Sequence, residues 1–94
     1  MVSSEEKVLL RRKANVRSGR LRATGTFILT DRKISFHYRA GRHIDISVES
    51  VKGLETRGVI FKKMAVSTDE REYVVYLKGV ENVVGLLNAL RNKR

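Results

Sequence analysis

From Val8 onward the apolar residues fall mostly at every second position: Val8, Leu10, Ala14 and Val16, then Leu21, Ala23, Phe27 and Leu29 after Ser18-Gly19. A period of two marks strands with one face toward a core. A two-residue turn at Ser18-Gly19 pairs Val16 with Leu21 and Leu10 with Phe27, which keeps both apolar sets on one face. Arg12 falls in the apolar phase opposite Gly25. Either it snorkels out at the core edge or a bulge resets the pleat there. The polar loop Thr30-Asp31-Arg32-Lys33 sets Leu29 opposite Ile34 and Phe27 opposite Phe36. In the loop Arg39-Ala40-Gly41 the glycine takes the left-handed position, pairing Tyr38 with Arg42, Phe36 with Ile44 and Ile34 with Ile46. Three hairpins that agree on one buried face predict a four-stranded meander over residues 7–47.

Beyond Ile46 the pattern is less regular and reads as a corner followed by a short strand, Val51–Thr56. Gly58 breaks the chain. Val59–Ser67 and Glu72–Lys78 then form a last hairpin over Thr68-Asp69-Glu70-Arg71, with Met64 and Val66 facing Tyr73 and Val75. After Gly79 the spacing changes to Val80, Val83, Val84, Leu87 and Leu90, which predicts an amphipathic helix over 80–92. Glu81 in its first turn and Arg91, Lys93 and Arg94 at its end suit the helix dipole. The expectation is a mainly β domain of seven strands and one C-terminal helix over 7–92. A flexible N-terminus, 1–6, precedes it and a basic end, 93–94, follows.

Ninety-four residues make one small domain, and its formal charge of +10 points to polyanions as partners, either nucleic acid or an anionic membrane surface. No cysteine is present, so disulfides and thiolate metal sites are excluded. The start Met-Val-Ser-Ser-Glu-Glu lacks the basic and apolar regions of a signal peptide, and no apolar stretch reaches membrane-spanning length. The expected location is cytoplasmic, or peripheral on a membrane. The charge is concentrated: Lys7 to Arg22 holds seven basic side chains (Lys7, Arg11, Arg12, Lys13, Arg17, Arg20, Arg22) and no acidic one. On a rigid hairpin such a run repels itself unless an anion relieves it.

Gly25-Thr-Phe-Ile-Leu-Thr-Asp-Arg-Lys-Ile-Ser-Phe36 resembles the pleckstrin-homology superfamily, in its GRAM and bacterial PH-like branch. The resemblance extends through Ile46-x-Val48-x-x-Val51-x-x-Leu54-Glu55, which lacks the usual proline, to Leu77-Lys78-Gly79-Val80-Glu81-Asn82-Val83 and Leu86-Leu87-x-Ala89-Leu90. Together these pieces cover about residues 5–92. The resemblance implies a seven-stranded curved sheet or partly open barrel of two near-orthogonal sheets, capped by the C-terminal helix. It also implies a non-enzymatic binding or adaptor module for anionic lipid head groups or protein partners. Many phosphoinositide-binding members carry a lysine late in the first strand and a basic-x-Arg in the second, and Lys13 and Arg20-Leu21-Arg22 match that pattern. Arg17 lies opposite Arg20 in the expected register, on the same side as Arg11 and Lys13. Guanidinium forks bind phosphate oxygens bidentately. The turn at Ser18-Gly19 is shorter than head-group pockets use, which favours a flat charged surface of Arg11, Lys13, Arg17, Arg20 and Arg22 over a deep pocket.

Three other constellations bear on function. His37 and His43 oppose each other on the outer face with Asp45 two residues on. They form the one candidate metal set, but no fourth ligand is evident, so no metal and no cofactor are expected. Phe61, Ala65, Val74 and Tyr76 lie opposite the inward residues of the last hairpin. Its outer face is therefore either covered by another element or is a protein-interaction or homodimer surface. Catalysis has little support: there is no cysteine nucleophile, no Gly-rich phosphate loop and no carboxylate pair placed for acid–base work. Nucleic acid is the rival polyanion, yet the basic hairpin has no aromatic residue on which bases could stack. The reading is a module recruited to anionic phospholipid surfaces. A protein-interaction domain and a nonspecific nucleic-acid binder are the alternatives.

Overall fold

The structure, a computed structural model, describes residues 7–92, so the expected flexible N-terminus 1–6 and basic end 93–94 lie outside the described residues. Seven antiparallel strands curl into a half-barrel with one C-terminal helix. The strands are β1 (Val8–Ser18), β2 (Leu21–Thr30), β3 (Lys33–His37), β4 (His43–Ser47), β5 (Gly53–Arg57), β6 (Lys63–Ser67) and β7 (Glu72–Leu77), followed by α1 (Val80–Asn92). Short 3₁₀ turns occupy Arg39–Gly41 and Val48–Ser50. The sheet is continuous in the order β4-β3-β2-β1-β7-β6-β5. Strand β1 is the seam, since it pairs with β2 along its length and with β7 over Ala14–Arg17.

The second and third hairpins have the register expected from the sequence, with Phe27 opposite Phe36, Leu29 opposite Ile34, and Phe36 and Ile34 opposite Ile44 and Ile46. Gly41 sits at φ +75°, the left-handed position assigned to it. The first hairpin is corrected by two residues: its turn is Gly19-Arg20, Ser18 pairs with Leu21, Val16 with Ala23 and Leu10 with Leu29. Gly19 adopts φ +59°, so the glycine opens the turn, while Ser18 stays in the ladder, buried. The Ser18 hydroxyl donates to the Glu72 carbonyl of β7 at 2.9 Å, which holds it there. A two-residue slip leaves every side chain on its expected face, so alternation alone could not detect it. Arg12 faces Phe27 rather than Gly25 and is exposed although it shares the core phase. The bulge lies elsewhere, between Val8 and Leu10.

Gly25 faces Ala14, and a Cβ there would fall 2.0 Å from the His37 carbonyl oxygen. The end of β3 can approach β2 this closely only because position 25 has no side chain. Strand β5 begins at Gly53 and ends at Arg57, later than the expected 51–56, and β6 begins at Lys63 instead of Val59. Gly58 accounts for the shortened β6: at φ +92° it turns the chain so tightly that a Cβ would meet the Phe61 carbonyl oxygen at 2.4 Å. Residues 58–62 are therefore a loop. The expected pairing of Met64 with Val75 and Val66 with Tyr73 is present.

Helix α1 buries Val80, Val83 and Leu87, with Val84 and Leu90 packed at the margin, which is the stripe its spacing predicted. The stripe closes on β5, β6 and the 3₁₀ turn at Val48–Ser50. Phe27, Leu29, Met64, Val66, Val83 and Leu87 are the fully buried centre of the core. Leu87→Ala is expected to cost about 2–5 kcal/mol through lost burial and a residual cavity. Leu86→Ala, at a half-exposed neighbour, is expected to cost less than about 1 kcal/mol. Urea unfolding of both variants checks the assignment of the buried stripe.

Candidate functional site

The pleat of β1 and β2 sorts the first hairpin into two faces. Leu10, Ala14, Val16 and Ser18 point into the half-barrel and are buried. On the outer face Arg11 pairs with Ile28, Lys13 with Thr26, Asn15 with Thr24 and Arg17 with Arg22. Arg17 is therefore opposite Arg22, not Arg20, while Arg20 sits exposed in the turn. Like charges directly opposed across a ladder are destabilising. The Thr24 hydroxyl donates to Asn15 Oδ1 at 2.6 Å and ties the two strands together beside this pair.

A groove of about 860 Å³ runs along the hairpin tip, and it gathers Arg17 and Arg22 with Arg39 and Arg42 from the turn after β3. Tyr38 and Tyr76 border it, and none of its lining residues is acidic. The sequence pattern gives Arg39 and Arg42 no role. Their only local signal is that they flank the Ala40-Gly41 turn, and their approach to Arg22 follows from β2 running past the end of β3. Lys13 and Arg11 continue the basic face away from the groove along β1. Tyr76 stands between two cations: a hydrogen bond with Arg17 pulls its phenol below the ordinary value, partial burial opposes this, and the charge of Lys63 adds to the lowering. Lys63 Nζ also lies over its ring, 5.5 Å from the centroid.

The outer face of the last hairpin differs from the expected apolar patch. Phe61 is outside the strand, in the 58–62 loop, and 82% exposed. Ala65, between Glu55 and Val74 in the ladder, is only 1% exposed. Its cover is a pair of ion bridges. From β5, Arg57 Nη2 reaches Glu55 Oε2 at 2.6 Å and Glu72 Oε2 on β7 at 2.9 Å. A side chain that joins β5 to β7 must cross the outer face of β6, where Ala65 lies. Val74 and Tyr76 are half-buried beside it. Both carboxylates hold the Arg57 guanidinium above its ordinary pKa, Glu55 more strongly than Glu72.

His37 and His43 do oppose each other, but they stack face to face with centroids 5.3 Å apart. Asp45 lies 3.5 Å from His43 Nε2 but is also engaged elsewhere: it accepts from the Ser35 hydroxyl at 2.6 Å and lies 3.7 Å from Lys33 Nζ. Among the described residues no group of three or more His, Cys, Asp or Glu could hold a metal ion, so the candidate set His37, His43 and Asp45 is not assembled as one. The Ser35 hydrogen bond is the main cause that holds Asp45 below its ordinary pKa; partial burial opposes it and the neighbouring cationic groups reinforce it.

No protein-family model matches the chain, and no curated protein matches it. Among solved structures it is similar to one described as the C-terminal domain of an unknown protein from Leishmania infantum. The TM-score is 0.76 at 15% sequence identity, covering 92% of this chain and 84% of that one. A likeness at that identity carries the fold alone. Among the described residues no helix is long and apolar enough to cross a membrane.

A carboxyl with a depressed folded pKa contributes stability that is present above its unfolded pKa, about 3.9, and lost as pH falls through the folded value. Ser35→Ala is expected to raise the Asp45 pKa toward the ordinary range, which carboxyl-carbon NMR titration reads directly. The pH-dependent part of the stability difference from wild type stays under about 1 kcal/mol, because the pair is partly solvated, and it vanishes in strong acid.

Proposed function

We propose that the chain is a pleckstrin-homology-like, non-enzymatic binding module that is recruited to anionic phospholipid surfaces through the outer face of its first hairpin. The observation that carries this reading is the groove that Arg17, Arg22, Arg39 and Arg42 all line, with no carboxylate among its lining residues. Four guanidinium groups held on paired strands and a tight turn offer planar forks to phosphate oxygens at little further ordering cost. The order of family-like segments from Gly25 to Leu90 supports the same class of module.

Arg11, Lys13 and Arg20 extend the basic area past the groove, which suits a broad headgroup layer as well as a single phosphate. A surface of this kind works by summed attraction, at about 1 kcal/mol per basic side chain near an anionic bilayer. Screening reaches in to about 8 Å at physiological salt, so binding through it weakens as salt rises.

Changing Arg17, Arg22 and Arg39 together to Ala is therefore expected to weaken binding to vesicles rich in phosphatidylserine roughly 100-fold. Co-sedimentation across a salt titration reads this, with DNA and RNA shift assays alongside. Unchanged vesicle binding by the triple variant overturns the assignment of the surface. Binding to nucleic acid at salt that releases the vesicles overturns the choice of lipid.

A further inference from the structure

Val59, Ile60 and Phe61 are 88%, 83% and 82% exposed, three consecutive large apolar residues at the tip of the β5–β6 loop. Elsewhere in the described chain the apolar pattern is spent on the core, and the other exposed large apolar residues, Val8, Leu9 and Leu86, are only about half as exposed. The tip is shaped at both ends. At its start Gly58, at φ +92°, brings the chain back so closely that a Cβ would meet the Phe61 carbonyl oxygen at 2.4 Å. At its end Lys62 Nζ pairs with Glu81 Oε2 in the first turn of α1. The three side chains are thus projected from a braced turn.

The tip also lies beside the basic face. Ile60 and Phe61 share one shallow groove with Lys13, Asn15 and Thr24 of the β1–β2 outer face and with Lys78 after β7. Asn15 and Thr24 also line the arginine groove, so the apolar tip and the four arginines border one continuous surface. Tyr76 lines both grooves and stands between them.

We propose that Val59, Ile60 and Phe61 form an apolar prong that inserts into the headgroup–acyl boundary of an anionic bilayer while the neighbouring basic face meets the phosphates; this rests on the lipid reading above. Size, shape and charge all favour a bilayer over a second copy of the chain. The tip is three residues, against the roughly 20–30 a side of a standard protein interface. A bilayer requires no matching surface: burying a few apolar side chains beside basic ones is how peripheral elements hold to anionic membranes. Charge complementarity points the same way, because Lys13 and Lys78 beside the tip would repel the same face of another copy but attract anionic headgroups.

The chain contains no tryptophan, so Phe61→Trp creates a single reporter at the tip. With vesicles of about seven parts phosphatidylcholine to three of phosphatidylserine, its emission is expected to shift to the blue and to be quenched by lipids brominated in their acyl chains. Replacing Val59, Ile60 and Phe61 together with Ser is expected to weaken vesicle binding by at least about tenfold while leaving the melting temperature unchanged, since these residues support no core. If the Phe61→Trp protein sediments with the vesicles but its emission neither shifts nor is quenched, the prong is overturned and the arginine surface stands. If it does not sediment with the vesicles at all, both fall. Self-association of the wild-type chain that the triple Ser variant abolishes also overturns the prong, with a second copy as the occupant.

Discussion

Strand β1 is hydrogen-bonded on both sides, to β2 and to β7, and this leaves its alternating side chains no choice of face. Ala14 and Val16 must enter the half-barrel, so Lys13, Asn15 and Arg17 must leave it. Once β1 is fixed, β2 carries Arg22 to a position across from Arg17, and β7 carries Tyr76 to the other flank. The basic face is thus a consequence of the same pleat that builds the core. A register error of one residue would destroy both at once.

That coupling gives the face its physical character. Arg17 and Arg22 oppose each other in a ladder that cannot relax without breaking the seam, and Arg39 and Arg42 border the same groove. Like charges held this close repel one another, a cost that a bound anion would relieve. On the far side of β7 the charges are arranged in the opposite sense. Arg57 is shared between Glu55 and Glu72 over the buried Ala65. One outer surface therefore has a compensated half, over β5–β7, and an uncompensated half, over β1 and β2. The apolar tip at 58–62 stands beside the second of these.

Much of this was legible in the residues, and the gaps have physical causes. The second and third hairpins and α1 could be read because polar loops, a left-handed glycine and a change of period mark their ends. The first hairpin could be read to its faces but not to its register: Ser18-Gly19 and Gly19-Arg20 turns preserve the same alternation, and the left-handed Gly19 with the Ser18 bond to Glu72 on a distant strand separates them. Val59-Ile60-Phe61 looked like the start of a strand because β-branched and aromatic residues favour one. Gly58 overrides that preference through a conformation that other residues rarely adopt. The burial of Ala65 and the arrival of Arg39 and Arg42 beside Arg22 depend on contacts between segments far apart in sequence, which no local pattern encodes.

In the proposed role a single outer surface, the arginine groove with its neighbouring tip, meets an anionic bilayer. Amide NMR of the intact chain titrated with phosphatidylserine-containing nanodiscs tests it residue by residue. Broadening and shift changes are expected to concentrate at Arg17, Arg22, Arg39, Arg42 and the 59–61 tip, while the compensated patch around Ala65 and the exposed side of α1 stay unperturbed. Changes centred on that patch or on α1, or none with anionic discs at low salt, would contradict it.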